Sequence, residues 1–302
     1  MRVFVIGATG LIGGHVARRL AATGHDVLGL ARSAEASARL QAWGLTPLAG
    51  DAGDRPALLR GVLDTDAVIF APALGEAEGP LVAWLLEQMA DTGKAFIFTS
   101  GTGVLAQRTA GDWSQDSFAE DDPFTPLRSL QGRVAVEDMV RAAGARGVRG
   151  MVVRPPAVWS DERPHSLVLA VVESVRKTGA ACHVGAGLNL YSSVHAEDLA
   201  EAFRLVLEEG EAGGVYHAVS GETPNRWIAE MVARVMGCPT RSVTLDEAIE
   251  LWGKFAALVV MGVCSRSRSP RTAALGWRPT RLDMLGHAEA VLRARFAADA
   301  PA

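Results

Sequence analysis

Apolar and polar positions along the chain alternate between strand-length runs and helical spacing, and the first such switch is the sharpest. Val3-Phe4-Val5-Ile6 is a continuous apolar run of strand length that leads directly into Gly7-Ala8-Thr9-Gly10-Leu11-Ile12-Gly13-Gly14. From Leu11 to Thr23 the apolar residues Leu11, Ile12, Val16, Leu20 and Ala21 recur at helical spacing, with Arg18 and Arg19 opposite and Gly24 as terminator. Asp26 to Ala31 completes a first strand–helix–strand unit. The alternation continues with a helix near Ala34 to Trp43, a strand at Leu45 to Ala49 and a helix near Arg55 to Leu63. A strand at Asp66 to Ala71, a helix from Pro80 to Thr92 and a strand at Ala95 to Thr99 follow, then a long helix from Pro126 to Ala145 and a sixth strand at Val148 to Arg154. Strands separated by helices predict an α/β fold, a Rossmann-type doubly wound parallel sheet covered on both faces.

Past Arg154 the pattern loosens. A helix at Ala196 to Glu209, a strand at Gly214 to Ala218, and helices around Trp227 to Met236 and Asp246 to Val260 are separated by short apolar pieces. The expected division is a dinucleotide-binding domain over 1–155 and a smaller C-terminal substrate lobe over most of 156–302, with parts of 191–218 returning to the sheet. The stretch from Ser100 to Thr125 lacks periodicity and is rich in Gly, Asp and Ser, so it reads as a functional or partly disordered loop beyond a strand's carboxyl end.

Composition narrows the function classes. A formal net charge of -4 with interspersed charges argues against a nucleic-acid partner. Cys182, Cys238 and Cys264 are scattered without CxxC spacing, which argues against a disulfide framework and a metal site. No window holds the roughly twenty apolar residues of a membrane span, and the N-terminus lacks a signal-peptide pattern. The expectation is a cytoplasmic protein that acts on a small molecule away from membranes.

The glycine run carries the first candidate chemistry. Gly7 suits a tight turn off the strand, Gly10 a close approach of backbone N–H groups to a pyrophosphate, and Gly13 close packing of helix on strand. In such folds an acid at the end of the second strand binds a ribose 2′-hydroxyl, whereas arginine accommodates a 2′-phosphate. Here that strand ends in Ala31-Arg32-Ser33, without a carboxylate, which favours NADP(H) over NAD(H). Asp51, followed by Ala52, is placed either to accept from an adenine amino group or to make a turn before the next helix. Ala71-Pro72-Ala73 should pass beside the cofactor's ribose and phosphates.

These residues resemble the extended and atypical short-chain dehydrogenase/reductases related to the NAD-dependent epimerase/dehydratases. The likeness rests on the Gly7 to Gly13 spacing, Gly50-Asp51, Phe98-Thr99-Ser100-Gly101-Thr102-Gly103-Val104, Val152-Val153-Arg154-Pro155-Pro156-Ala157-Val158, Val194-His195-Ala196-Glu197-Asp198 and Leu275-Gly276-Trp277-Arg278-Pro279. It implies cofactor contacts at Thr9, Leu11, Ile12, Thr99, Pro155 and Val158. It also implies a Ser or Thr after the fifth strand and a Tyr-x-x-x-Lys on the next helix, with Glu four residues beyond the Lys. With Glu137 as that Glu, Arg133 stands at the Lys position, Ser129 at the Tyr position and Gly101 at the Ser/Thr position. Arg133 can still hold ribose hydroxyls, and Ser100 or Thr102 can supply a hydroxyl. The usual proton donor is missing.

Three readings follow: hydride transfer with the proton from Thr102, Tyr191, His195, substrate or water; a redox sensor that binds the dinucleotide and docks a partner; or an isomerase, epimerase or cyclase without net redox. Trp113, Trp159, Tyr191, His195 and the segment around His165 are candidates for a substrate pocket, although Trp113 and Phe118 can equally pin the loop, and Trp159, Tyr191 and His195 can equally be packing residues. Such a lining suits a hydrophobic carbonyl compound better than a sugar nucleotide, whose diphosphate has only Arg163 and Arg226 as obvious partners. A homodimer through Pro80 to Thr92 and Pro126 to Ala145 is compatible with the pattern.

Overall fold

The computed structural model describes residues 1–72 and 75–298. Seven parallel strands form the central sheet. Its first five are β1 (Arg2–Ile6), β2 (Asp26–Ala31), β3 (Thr46–Ala49), β4 (Ala67–Phe70) and β5 (Ala95–Thr99). The spatial order is β3-β2-β1-β4-β5, then Arg149–Arg154 and Val215–His217. The strand order reverses between β1 and β4, so the carboxyl ends there form the crevice in which open α/β sheets bind ligands.

Both faces of this sheet are dry, and the two-residue period explains it. Val3 and Val5 of β1, Ile69 of β4 and Ile97 of β5 join one buried cluster, with α1 (Leu11–Ala22) and the helix Ala196–Glu209 above them. Phe4, Phe70, Phe96 and Phe98 join the other. Of the helices α2 (Ala34–Ala42), α3 (Arg55–Leu63), α4 (Glu78–Gln88) and α5 (Gln131–Arg141), the last three cover that aromatic face through Leu58, Leu85 and Val140. Pro47 is tolerated in β3 because that strand is the sheet edge.

The remaining chain builds a lobe with its own core, centred on Val168, Val171, Ile228, Val232 and Met261. Its main sheet is three-stranded, with Leu190–His195 between Gly221–Pro224 and Ala157–Trp159. Of the 191–218 stretch, Val215–His217 is the seventh strand of the central sheet and Leu190–His195 lies in the lobe sheet. The loop after β5 is ordered rather than slack: Thr102–Leu105 is a 3-10 turn, and Gln107–Arg108 pairs with Val263–Cys264 of the lobe.

Two expected helices are shorter than their periodicity. In place of Pro126 to Ala145, a 3-10 turn at Arg128–Leu130 precedes α5, and another at Ala142–Arg146 ends in the left-handed Gly147. In place of Asp246 to Val260, the chain is helical over Leu245–Trp252, breaks at Gly253 with φ 83°, and resumes as a short helix and a π-turn over Ala257–Met261. Among the described residues no helix is long and apolar enough to cross a membrane.

Candidate active site

The glycine turn has the geometry that its spacing predicts. Gly7 has φ 91°, and a Cβ on it would stand 2.5 Å from the Ala71 carbonyl oxygen; one on Gly13 would stand 2.3 Å from that of Gly7. Side chains at either place would push β1, β4 and α1 apart. Gly10 precedes α1 and gives it no side-chain cap, so the first N–H groups of the helix are left for an anion. Ala71 is tied to β1 by its N–H to the Ile6 carbonyl, at 2.9 Å. Pro72 follows it, half-buried, while Ala73 lies outside the described residues.

Farther along the sheet edge, Arg32 is exposed and makes no ion pair or side-chain hydrogen bond among the described residues. Ser33 is committed: its hydroxyl accepts from Ala36 N at 3.1 Å as the cap of α2. Asp51 makes a turn, accepting from Gly53 N at 2.7 Å, with exposed Ala52 beside it. Gly50, with φ 147°, sets up that turn.

Beyond β5 the chain opens onto a cavity of about 240 Å³. Its polar lining comes from Ser100, Arg133 and Tyr191; its apolar wall comes from Ile12, Val104, Leu130, Pro155 and Pro156, closed by Phe255, Val259 and Val260 of the lobe. Arg133 rises from α5, donates to Glu78 of α4 at 2.6 Å and lies over the Phe98 ring at 5.1 Å. Burial pulls the Arg133 pKa down, with the charges of Glu78 and Glu137 opposing; burial likewise pushes Glu78 up, with Arg133 opposing. Ser100 donates to Glu137, whose buried carboxylate also accepts from Arg154 Nε at 3.1 Å. This Ser100–Glu137–Arg154 cluster fixes the end of β5 against the strand Arg149–Arg154.

Several candidates stand elsewhere. Thr102 is fully buried, does not line the cavity and ties the turn to its surroundings, its N–H donating to Pro155 O at 2.9 Å and its carbonyl accepting from Ser265 Oγ at 2.9 Å. Ser129 is exposed on a 3-10 turn, and the side chain that this turn gives the cavity is Leu130. Thr99 is buried under the site without lining it, and Val158 packs on the sheet core. Trp113 is 55% exposed and lies beneath Arg266, and Phe118 bridges to Ser267; both pin the loop to the lobe.

Trp159 is a core residue whose ring meets that of His195 at 4.6 Å. His195 caps the helix Ala196–Glu209, accepting from Glu197 N at 3.2 Å, and faces a different, charged cleft. Burial lowers its pKa, and Arg281 adds to this while Asp161 opposes it. His165 is likewise a buried cap, accepting from Leu167 N at 3.1 Å, and burial takes its pKa to about 3. Arg226 pairs with Glu230 on the surface, 2.8 Å away.

A doubly wound parallel sheet with an uncapped glycine turn at its switch point defines a nucleotide-binding, oxidoreductase-like Rossmann fold. The chain matches the NAD dependent epimerase/dehydratase family over residues 3–220 and belongs to it. It is 30% identical over 295 residues to an uncharacterized protein of Schizosaccharomyces pombe, spanning 94% of this chain and 97% of that one. It is 26% identical over 233 residues to the 4-hydroxy-2-methyl-3-oxo-4-farnesyl-3,4-dihydroquinoline-1-oxide ketoreductase of Stigmatella aurantiaca, covering 73% of this chain and 69% of the relative. Its fold superposes with a TM-score of 0.72 on the UDP-glucose 4-epimerase of Thermus thermophilus in complex with NAD, at 22% identity over 98% of this chain and 100% of that one.

Proposed function

We propose that the protein is an NADP(H)-dependent reductase that moves hydride to or from the carbonyl or imine of a small hydrophobic substrate. The observation that carries this reading is the cavity beside the glycine turn, lined mainly by apolar side chains, with Arg133 as its one charged lining residue among those described. An apolar wall favours apolar surface by about 25 cal/mol per Å² buried, and a sugar diphosphate would call for several basic groups where this cavity has one. The ketoreductase activity named for the Stigmatella relative is consistent with a carbonyl substrate.

The residues present fit the dinucleotide. The start of α1 would hold the pyrophosphate, the uncommitted Arg32 the 2′-phosphate, and Arg133 the nicotinamide ribose, while the nicotinamide supplies the hydride. Purified protein should bind NADPH more tightly than NADH, and Arg32→Ala should narrow the gap; equal affinities before mutation would remove the NADP assignment. NADPH absorbance should fall with some member of an aldehyde, ketone and imine panel. Tight NADPH binding with silence across that panel would move the reading to a redox sensor.

A further inference from the structure

The geometry points to Tyr191 as the proton donor of this site, a catalytic tyrosine supplied by the lobe in place of one on α5. The assignment rests on the reductase reading above. Only two hydroxyl-bearing side chains line the cavity among the described residues, Ser100 and Tyr191. Ser100 directs its hydrogen to the Glu137 carboxylate. Thr102 is sealed off, Ser129 is outside and His195 opens to another cleft, which leaves the phenol.

Its position is built rather than incidental. Tyr191 lies on the central strand of the lobe sheet, paired with Thr223 on one side and bridged to Ser265 on the other. From there its hydroxyl reaches the turn after β5: a Cβ added to Gly103 would stand 3.3 Å from Tyr191 Oη. The glycine thus makes room for the phenol at the sheet's carboxyl edge, in the cavity that Arg133 enters from α5. Burial raises the Tyr191 pKa, with the neighbouring Ser265 side chain opposing. The phenol therefore stays protonated at neutral pH, as a donor must.

The step balances with a reduced nicotinamide dinucleotide as the hydride source. Hydride bonds to the carbonyl carbon, the π pair moves to oxygen, and the Tyr191 O–H bond breaks as that oxygen takes the proton. Solvent then reprotonates the phenolate.

The chain contains only two tyrosines, Tyr191 and Tyr216, and the second is buried with its Oη accepting from Glu211 N at 2.8 Å. The full chain labelled with 3-fluorotyrosine therefore gives two fluorine NMR signals, assigned with Tyr191→Phe. Adding NADP⁺ alone should shift the Tyr191 titration to lower pH, because the cationic ring favours the phenolate, and should leave Tyr216 unmoved. NADP⁺ that binds, as read by tryptophan fluorescence, without moving Tyr191 would overturn the assignment; NADP⁺ that does not bind would overturn the reductase reading and this assignment with it. With the ketone that the panel identifies, Tyr191→Phe should lower kcat by about 100-fold or more and keep its NADPH affinity. A kcat within about threefold of the parent would also overturn it.

Discussion

Two clefts of the molecule, the charged one under His195 and the apolar one beyond β5, differ in size, lining and position relative to the sheet. The larger, about 580 Å³, is flanked by α1 and the helix Ala196–Glu209 and lined by groups such as Arg18, Asp161, Glu162, Glu201 and Arg278. Some of its charges are paired: Arg19 meets Glu201 at 2.7 Å, and Asp161 meets Arg281, close by, at 3.2 Å. The smaller, about 240 Å³, is mostly apolar and lies where β1 and β5 end. Volume alone would choose the first. Position at the carboxyl edge of the sheet, an apolar wall and a few convergent polar groups choose the second, and there Ile12 of α1, Arg133 and Tyr191 meet.

The largest effect should come from closing the glycine turn. Gly13→Val places carbon against the Gly7 carbonyl, so NADPH binding should vanish and thermal stability should fall; a variant with parental NADPH affinity would break the account of the turn. Next comes a direct contest between the clefts. Leu130→Trp narrows the small cavity and should raise the substrate KM about tenfold or more with NADPH affinity kept. Glu162→Ala with Arg278→Ala in the charged cleft should leave turnover unchanged, and the reverse outcome would move the site. Arg133→Ala should weaken NADPH binding about tenfold, or about 1.4 kcal/mol, and an unchanged affinity would refute its ribose role.

A last effect, on stability rather than on binding or turnover, concerns groups outside both clefts. Burial holds His165 at a pKa of about 3 and His217 at about 4, the latter with help from Arg154. An unfolded histidine titrates near 6.5, so below that pH the unfolded chain takes up protons that the folded chain refuses. Stability should be full above about pH 6.5 and fall as pH drops, through about pH 4 for His217 and about pH 3 for His165, by on the order of 1 kcal/mol per pH unit for each. Denaturant midpoints measured across that range should flatten in His165→Asn with His217→Asn; an undiminished slope would contradict the assignment.

What the sequence made legible follows from where physical chemistry is local. The sheet half could be read because buried parallel strands are continuous apolar runs and because Gly7 and Gly13 leave no room for a side chain. The bounds of α3 and of the helix Ala196–Glu209 follow directly from their periodicity. The lobe was less legible, since the run from Asp246 to Val260 reads as one helix and only Gly253 hints at the break that presents Phe255, Val259 and Val260 to the cavity. Thr102 and Ser129 are of the right type at nearly the right place, but the direction of a side chain on a 3-10 turn is decided by packing. The Arg133–Glu78 pair spans 55 residues with no local pattern to announce it.

A crystal structure with NADP⁺ decides between the two clefts. It should show the pyrophosphate at the start of α1, the 2′-phosphate beside Arg32, and the nicotinamide in the apolar cavity between Ile12, Pro155 and Arg133 with Tyr191 across its open face. A nicotinamide bound in the charged cleft under His195, or one turned away from Tyr191, would contradict that placement.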